Sequence, residues 1–279
     1  MKQLVSILAV LALLDGSVLA AESPEAMKCI KLLDKGMFKI AGLQLKEVSG
    51  CLKEFAADPV ANPDPDGCAF PNLKVQEATT ELLEKAEVVC AGPGMPTLGG
   101  PDALLSPAIE GATLSASLTS VLIGHYLAGD AVTCSEAPAE DGCKCQNALL
   151  GATGKLVASY AKLFHSCKQR GLKDGSIADE VQLAACLSDP AKLDPKSKLT
   201  SVVGKLGKAI AKKCPATVTD PLPGGYCSGL NGDALRDCID DWTRCTLCHA
   251  VSGANQIGVD CDVFDDGLDN ATCDSNPYD

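Results

Sequence analysis

Four evenly spaced cysteines constrain the fold of this chain more than any other feature. Cys29 and Cys51 are separated by 21 residues, Cys68 and Cys90 by another 21, and 16 residues lie between the two pairs. An α-helical arm of this length covers about 33 Å, whereas the Cα atoms of a disulfide lie about 4.4–6.8 Å apart. If the arms are antiparallel helices, the spacing predicts the bridges Cys29–Cys90 and Cys51–Cys68.

Residues 1–20 have the composition of an export signal. Lys2 precedes a largely apolar run from Leu4 to Leu14, and Val18-Leu19-Ala20 presents small or apolar residues to a signal peptidase. This apolar core is too short for a lasting membrane anchor. We therefore expect an exported protein, periplasmic or extracellular, in which 16 cysteines persist as disulfides.

Both arms have helical periodicity. The first is predicted to begin at Ser23-Pro24 and to stop by Asp58-Pro59. Residues predicted to face inward are Ile30, Leu33, Met37, Ala41, Leu45, Val48, Leu52 and Phe55 on the first arm, and Val75, Thr79, Leu82, Ala86 and Val89 on the second. Residues 102–128 form a third apolar stretch, predicted as a buried helix across the hairpin, with a membrane span as the alternative.

The cysteine pattern then repeats. Cys145, Cys167, Cys186 and Cys214 follow their counterparts in the first set at offsets of 116, 116, 118 and 124 residues. We interpret this as an internal duplication, with the bridges Cys145–Cys214 and Cys167–Cys186. The predicted fold is all-α, with two duplicated, disulfide-stapled helical hairpins and a tail rich in cysteine and aspartate. The predicted units are residues 21–134, a linker 135–143, a second hairpin 144–214, and a tail 215–279 that completes the second unit.

Charge is distributed unevenly along the chain. The net charge is −12, but residues 144–214 carry 13 basic and 5 acidic side chains, whereas residues 215–279 carry 2 basic and 12 acidic ones. The lysines lie along helices without interleaved aromatic residues, so solvated helix faces explain them better than nucleic-acid binding does.

Cys245-Thr-Leu-Cys248-His249 matches the attachment motif of c-type haem, in which two thiols bind the vinyl groups and the histidine binds iron. The second iron ligand would be His125, His165 or Met95. Crowded cysteines also produce this spacing by chance, and little chain follows the motif. Disulfides are therefore the preferred interpretation. Zinc binding and thiol–disulfide exchange through Cys245 and Cys248 are further alternatives.

The tail contains an acidic loop that a Cys261–Cys273 bridge would close. Hard oxygen ligands of the type that calcium binds are provided by Asp262, Asp265, Asp266, Asp269 and Asn270. A solvated, turn-forming loop is the simpler interpretation.

The paired helical arms, the Cys-x-x-Cys segment and Asp260-Cys-Asp-Val-Phe-Asp-Asp-Gly267 with a closing Cys273 resemble a group of uncharacterised cysteine-rich exported proteins of myxobacteria-like environmental bacteria. In that group the residue after Cys-x-x-Cys is usually not histidine, which counts against haem here. The resemblance implies no activity.

The sequence lacks the usual catalytic motifs. We therefore predict a non-enzymatic binding or cell-envelope structural protein without a cofactor, with an extracellular or envelope partner. A c-type electron carrier is the alternative. The sequence leaves open the pairing of Cys134, Cys143, Cys227, Cys238, Cys245 and Cys248.

Overall fold

The computed structural model describes residues 24–57, 73–91, 139–177, 180–221 and 227–255, together with Cys261 and Cys273. These residues form mainly α-helices, and no strand occurs among them. The helices are α1 (Pro24–Ala57), α2 (Leu73–Val89), α3 (Ala139–Asp174), α4 (Glu180–Ser188), α5 (Pro190–Leu193), α6 (Lys198–Lys213) and α7 (Gly232–Asn255). The predicted signal 1–20 and the apolar stretch 102–128 lie outside the described residues.

Helices α1 and α2 pack antiparallel. Helix α1 begins at Pro24, as predicted, and the Cys29–Cys90 disulfide joins its first turns to the end of α2, which confirms that bridge. Lys39–Glu81 and Lys74–Glu47 ion pairs, at 3.1 and 3.2 Å, follow along the exposed edge. Between the helices lie Ile40, Val75, Ala78 and Leu82.

The inward face of α2 differs in one position from the prediction. Val89 is 41% exposed, so its assignment to the inward face was wrong, and the neighbouring Cys90 is buried instead. Because Cys90 is held by Cys29, the disulfide sets which residue of this turn faces α1. Cys51 is also disulfide-bonded, but its predicted partner Cys68 lies outside the described residues.

Among the described helices, α3 is the central one and packs against α1, α4, α5, α6 and α7. It begins at Ala139, within the stretch 135–143 that was expected to be a linker, and it continues past Gly171 to Asp174. Gly171 leaves space for Ile177, since a Cβ at this position would lie 2.3 Å from the Ile177 side chain.

Two disulfides attach the following helices to α3. Cys145–Cys214 joins the start of α3 to the end of α6, and Cys167–Cys186 joins its last turns to α4, so both predicted bridges are confirmed. Asp194-Pro195 is typical of a helix start and predicts that the return arm begins there. Helix α6 instead begins at Lys198, where the Asp194 carboxylate accepts a hydrogen bond from the Leu199 amide at 2.7 Å.

The main core lies between α3, α6 and α7. Its fully buried side chains include Leu149, Leu156, Phe164, Leu206, Leu235 and Ile239. The Tyr160 hydroxyl on α3 donates a hydrogen bond of 2.8 Å to Asp240 on α7. Burial, reinforced by the Asp240 carboxylate, raises the pKa of Tyr160 well above its usual range, so Tyr160 stays a hydrogen-bond donor.

Across the described helices, none combines the length and the apolar composition that crossing a bilayer requires. The number of disulfides fits a compartment outside the reducing cytoplasm.

Candidate functional site

The Cys-x-x-Cys-His motif lies on α7 and anchors the tail. Cys245 is bonded to Cys273, and Cys248, one helical turn further on, is bonded to Cys261. The predicted Cys261–Cys273 bridge is therefore wrong. Two cysteines at i and i+3 present both sulfurs on one side of the helix, so each can bind a different tail cysteine.

His249 belongs to the same anchor. Its Nε2 lies 2.7 Å from the Cys273 carbonyl oxygen and, since a carbonyl oxygen can only accept, the imidazole donates this hydrogen bond. Both thiols of the motif are used in disulfides and the histidine nitrogen is bonded to the tail. Haem attachment would require that both disulfides open. The two sulfurs of Cys245 and Cys273 and His249 Nε2 lie within 4.8 Å of one another, but the sulfurs could bind a metal ion only after reduction.

A third tail disulfide, Cys227–Cys238, fixes the start of α7. Cys143 is disulfide-bonded as well. The proposed calcium ligands Asp262, Asp265, Asp266, Asp269 and Asn270 lie outside the described residues.

A groove between α1 and α3 is the second candidate site. The two helices run antiparallel, and the groove follows α1 from Lys35 to Ser49, roughly 21 Å along the helix axis. Its volume of about 600 Å³ lies within the usual range for ligand sites. The floor is apolar, with Leu45, Leu150 and Val157. Gly42, Gly151 and Gly154 widen it, because a Cβ added at any of them would touch nothing within 4 Å.

Lysines surround this apolar floor. Lys35, Lys39 and Lys46 come from α1, and Lys155 and Lys162 come from α3. The part of the chain that the structure describes contributes no acidic side chain to the groove. Lys39 is paired with Glu81, and hydrogen bonds from Lys85 and Lys39 lower the pKa of Glu81 to about 2. Among the described residues, no carboxylate lies within salt-bridge distance of the other four lysines.

A buried charged cluster lies at the Lys35 end of the groove. The Asp34 carboxylate accepts hydrogen bonds from Lys168 Nζ at 3.1 Å and from Gln169 Nε2 at 3.4 Å, and its other contact is His165 Nδ1 at 3.2 Å. Burial opposes the ionised form, but Lys168 and His165 outweigh it and lower the pKa of Asp34 below its usual range. The His165 ring, which also lines the groove, packs edge-on against Phe38 with 5.7 Å between ring centroids.

Neither the groove nor the charged cluster around Asp34 was predicted from the sequence. One available signal was Asp34, a carboxylate one helical turn from Ile30 on the apolar face of α1. Another was the recurrence of lysine or glycine at three- and four-residue steps, which places Lys35, Lys39, Gly42 and Lys46 on one side of the helix. Periodicity could not show that these positions face α3, which begins only at Ala139.

Comparisons of this chain with models of protein families, with curated proteins and with solved structures find no match. The resemblance to cysteine-rich exported proteins of environmental bacteria therefore stays a prediction. The candidate site is defined by its geometry alone.

Proposed function

We propose that this protein is an exported, non-enzymatic binding protein that holds an elongated, mainly apolar ligand in the groove between α1 and α3. The observation that carries the proposal is the groove itself: about 600 Å³ bordered by apolar side chains and by three glycines that leave space unfilled. Packed helices normally fill such space with side chains. A long apolar ligand would restore those contacts.

The disulfides support this function by holding both walls of the groove. Cys29–Cys90 fixes α1 through α2, and Cys145–Cys214 with Cys167–Cys186 fixes α3 at both ends. A wall held in place before binding loses less conformational entropy when the ligand arrives. Export, for which residues 1–20 are the sequence signal, would place the site in a compartment where these bridges are stable.

The internal duplication forms part of the proposal. The two clamped helix pairs, α1 with α2 and α3 with α6, would be copies of one unit, and the groove would be the junction between their first arms. A binding role would thus follow from the pairing of two units, each of which leaves one face of its long helix uncovered by its own partner.

Filling the groove tests the binding function. The Gly154→Leu substitution places an apolar side chain in open space on α3, and Gly204→Leu on α6 is the matched control, since a Cβ there also touches nothing within 4 Å. Both variants replace a helical glycine with a good helix former. The uncharged fluorescent probe N-phenyl-1-naphthylamine, whose emission rises in apolar surroundings, reports occupancy of the groove.

We expect the original protein and Gly204→Leu to bind the probe with equal affinity, and Gly154→Leu to lose binding while its circular dichroism spectrum is unchanged. Equal binding by all three proteins, or no binding by any of them, would contradict the proposal.

A further inference from the structure

We infer that the ligand is a long-chain monocarboxylate, bound with its acid group at the end of the groove formed by Lys35, Lys162 and His165. This inference rests on the proposed binding function and adds the chemical class and direction of the ligand. Its basis is twofold: the described lining of the groove carries lysines and no carboxylate, and one end alone of that lining has a fixed imidazole, that of His165.

The cations at this end are only partly neutralised. Lys39 is paired with Glu81 at 3.1 Å, and Lys168 donates to Asp34 at 3.1 Å. Lys35 and Lys162 have no acidic partner in the described part of the chain, and both line the groove. Two lysines suit one carboxylate, whose two oxygens accept several charge-assisted hydrogen bonds.

His165 supplies a fixed polar group at the same end. Its Nδ1 contacts Asp34 Oδ2 at 3.2 Å, and its ring is held edge-on against Phe38. Because the two nitrogens lie on different edges of an imidazole ring, Nε2 is turned away from Asp34. Nε2 has no hydrogen-bond partner within the described residues. Since the Asp34 carboxylate only accepts, Nδ1 donates to it, and Nε2 donates to a ligand carboxylate when the ring carries both protons. Asp34 and Phe38 act as positioning residues that hold the imidazole at the groove wall.

The other end of the groove suits an alkyl chain. Leu150, Gly151 and Gly154 border it, and its described lining has no counterpart of His165. Its lysines, Lys46 and Lys155, are exposed, as Lys35 and Lys162 are. Their long methylene stems can cover an apolar ligand while the amines remain in water. A ligand with one acid group and a chain that extends from Lys35 toward Ser49 matches both ends.

The test compares dodecanoate with dodecanol, which has the same chain length and no charge, as competitors for the naphthylamine probe. The intact chain should prefer the acid by roughly fivefold to tenfold, since exposed ion pairs each contribute little. The double variant Lys35→Gln/Lys162→Gln should bring this preference close to one. Two variants with the same loss of charge, Lys46→Gln/Lys155→Gln at the far end and Lys205→Gln/Lys208→Gln on α6, should keep it.

Four other outcomes would overturn all or part of the inference. Equal affinity for acid and alcohol would overturn the carboxylate inference and leave the binding function supported. Loss of the preference only in Lys46→Gln/Lys155→Gln would overturn the direction of the ligand. Probe binding that neither compound reverses would overturn the ligand class. Sedimentation of the same samples would show whether a second copy of the chain occupies the groove, an outcome that also overturns the inference.

Discussion

The two sides of α1 are packed in opposite ways. Toward α2, the helices meet without free space: the backbone of Gly36 is so close to Leu82 that a Cβ would lie 2.2 Å from its side chain. Toward α3, Gly42 faces open space, and the buried contact at the groove end is a charged cluster around Asp34. The same helix thus has one side fixed by close packing and another that leaves volume unoccupied.

This difference separates what stabilises the fold from what is available for binding. Contacts between buried apolar side chains gain free energy from every atom placed against a neighbour. The α3 side gives up part of this gain along the groove and depends on the ion pair of Asp34 with Lys168 for specific alignment. We therefore expect mutations on the two sides of α1 to change the stability of the fold by different amounts and, for the two glycines, in opposite directions.

Removal of Asp34 should have the largest effect. In Asp34→Ala, the Lys168 ammonium, whose side chain is 9% exposed, loses its ion pair with Asp34. Breaking a buried ion pair on one side costs about 3–5 kcal/mol. Chemical unfolding should show a loss of this order in the free energy of unfolding.

The double variant Asp34→Leu/Lys168→Met is the control for this prediction, because it removes both charges and keeps apolar volume. It should lose much less stability than Asp34→Ala. A loss for Asp34→Ala no larger than that of an exposed substitution would show that the cluster does not align α1 with α3.

Alanine at the two glycines of α1 should have effects of opposite sign. Gly36→Ala pushes a methyl group into the buried Leu82, and overpacking costs about 1–3 kcal/mol, which exceeds the gain of about 0.5–1 kcal/mol from replacing a helical glycine. Gly42→Ala has the same gain without a clash. Thermal unfolding of the two variants should move the melting temperature down for Gly36→Ala and up for Gly42→Ala. Shifts of the same sign would remove the contrast between the two sides.

A smaller effect should appear in acid. Because the pKa of Asp34 is lowered in the folded protein from its ordinary value of 3.8, the unfolded chain binds more protons in this range. The contribution of Asp34 to stability is therefore complete above about pH 4 and is lost as the pH falls through the folded pKa. Unfolding measured between about pH 2 and pH 5 should have a steeper pH dependence in the original protein than in Asp34→Leu/Lys168→Met.

The informative quantity is the difference in pH dependence between the original protein and Asp34→Leu/Lys168→Met, rather than the pH dependence of either protein alone. Burial raises the pKa of Asp240 and of Asp241 on α7, so these groups oppose the trend from Asp34. Identical slopes for the two proteins would contradict the assignment of the acid sensitivity to Asp34.

Cysteine spacing and apolar periodicity predicted much of the fold. Helix length excluded a bridge within an arm, so that antiparallel packing of the two arms predicted Cys29–Cys90, and the repeated cysteine pattern extended this prediction to Cys145–Cys214. In the tail, the same method failed. Cys261 and Cys273 are close in sequence, but α7 offered two sulfurs on one face, and that choice depends on how the tail crosses the helix.

The candidate groove was beyond sequence reasoning for a related reason. Leu45 and Leu150 both have the pattern of core residues, and each is buried. Whether the space beside them is filled depends on the rotation and separation of α1 and α3. Asp34 was the residue most out of place on its helix face, and it marks the end of the groove.

The tail disulfides also determine how the chain responds to proteolysis. The loop closed by Cys245–Cys273 encloses the loop closed by Cys248–Cys261. One cut of the backbone anywhere between Cys245 and Cys273 therefore leaves two fragments that remain covalently joined. The same holds between Cys29 and Cys90 and between Cys145 and Cys214. A protease that cuts once within one of these loops would thus give a nicked form of nearly unchanged mass, rather than separate pieces.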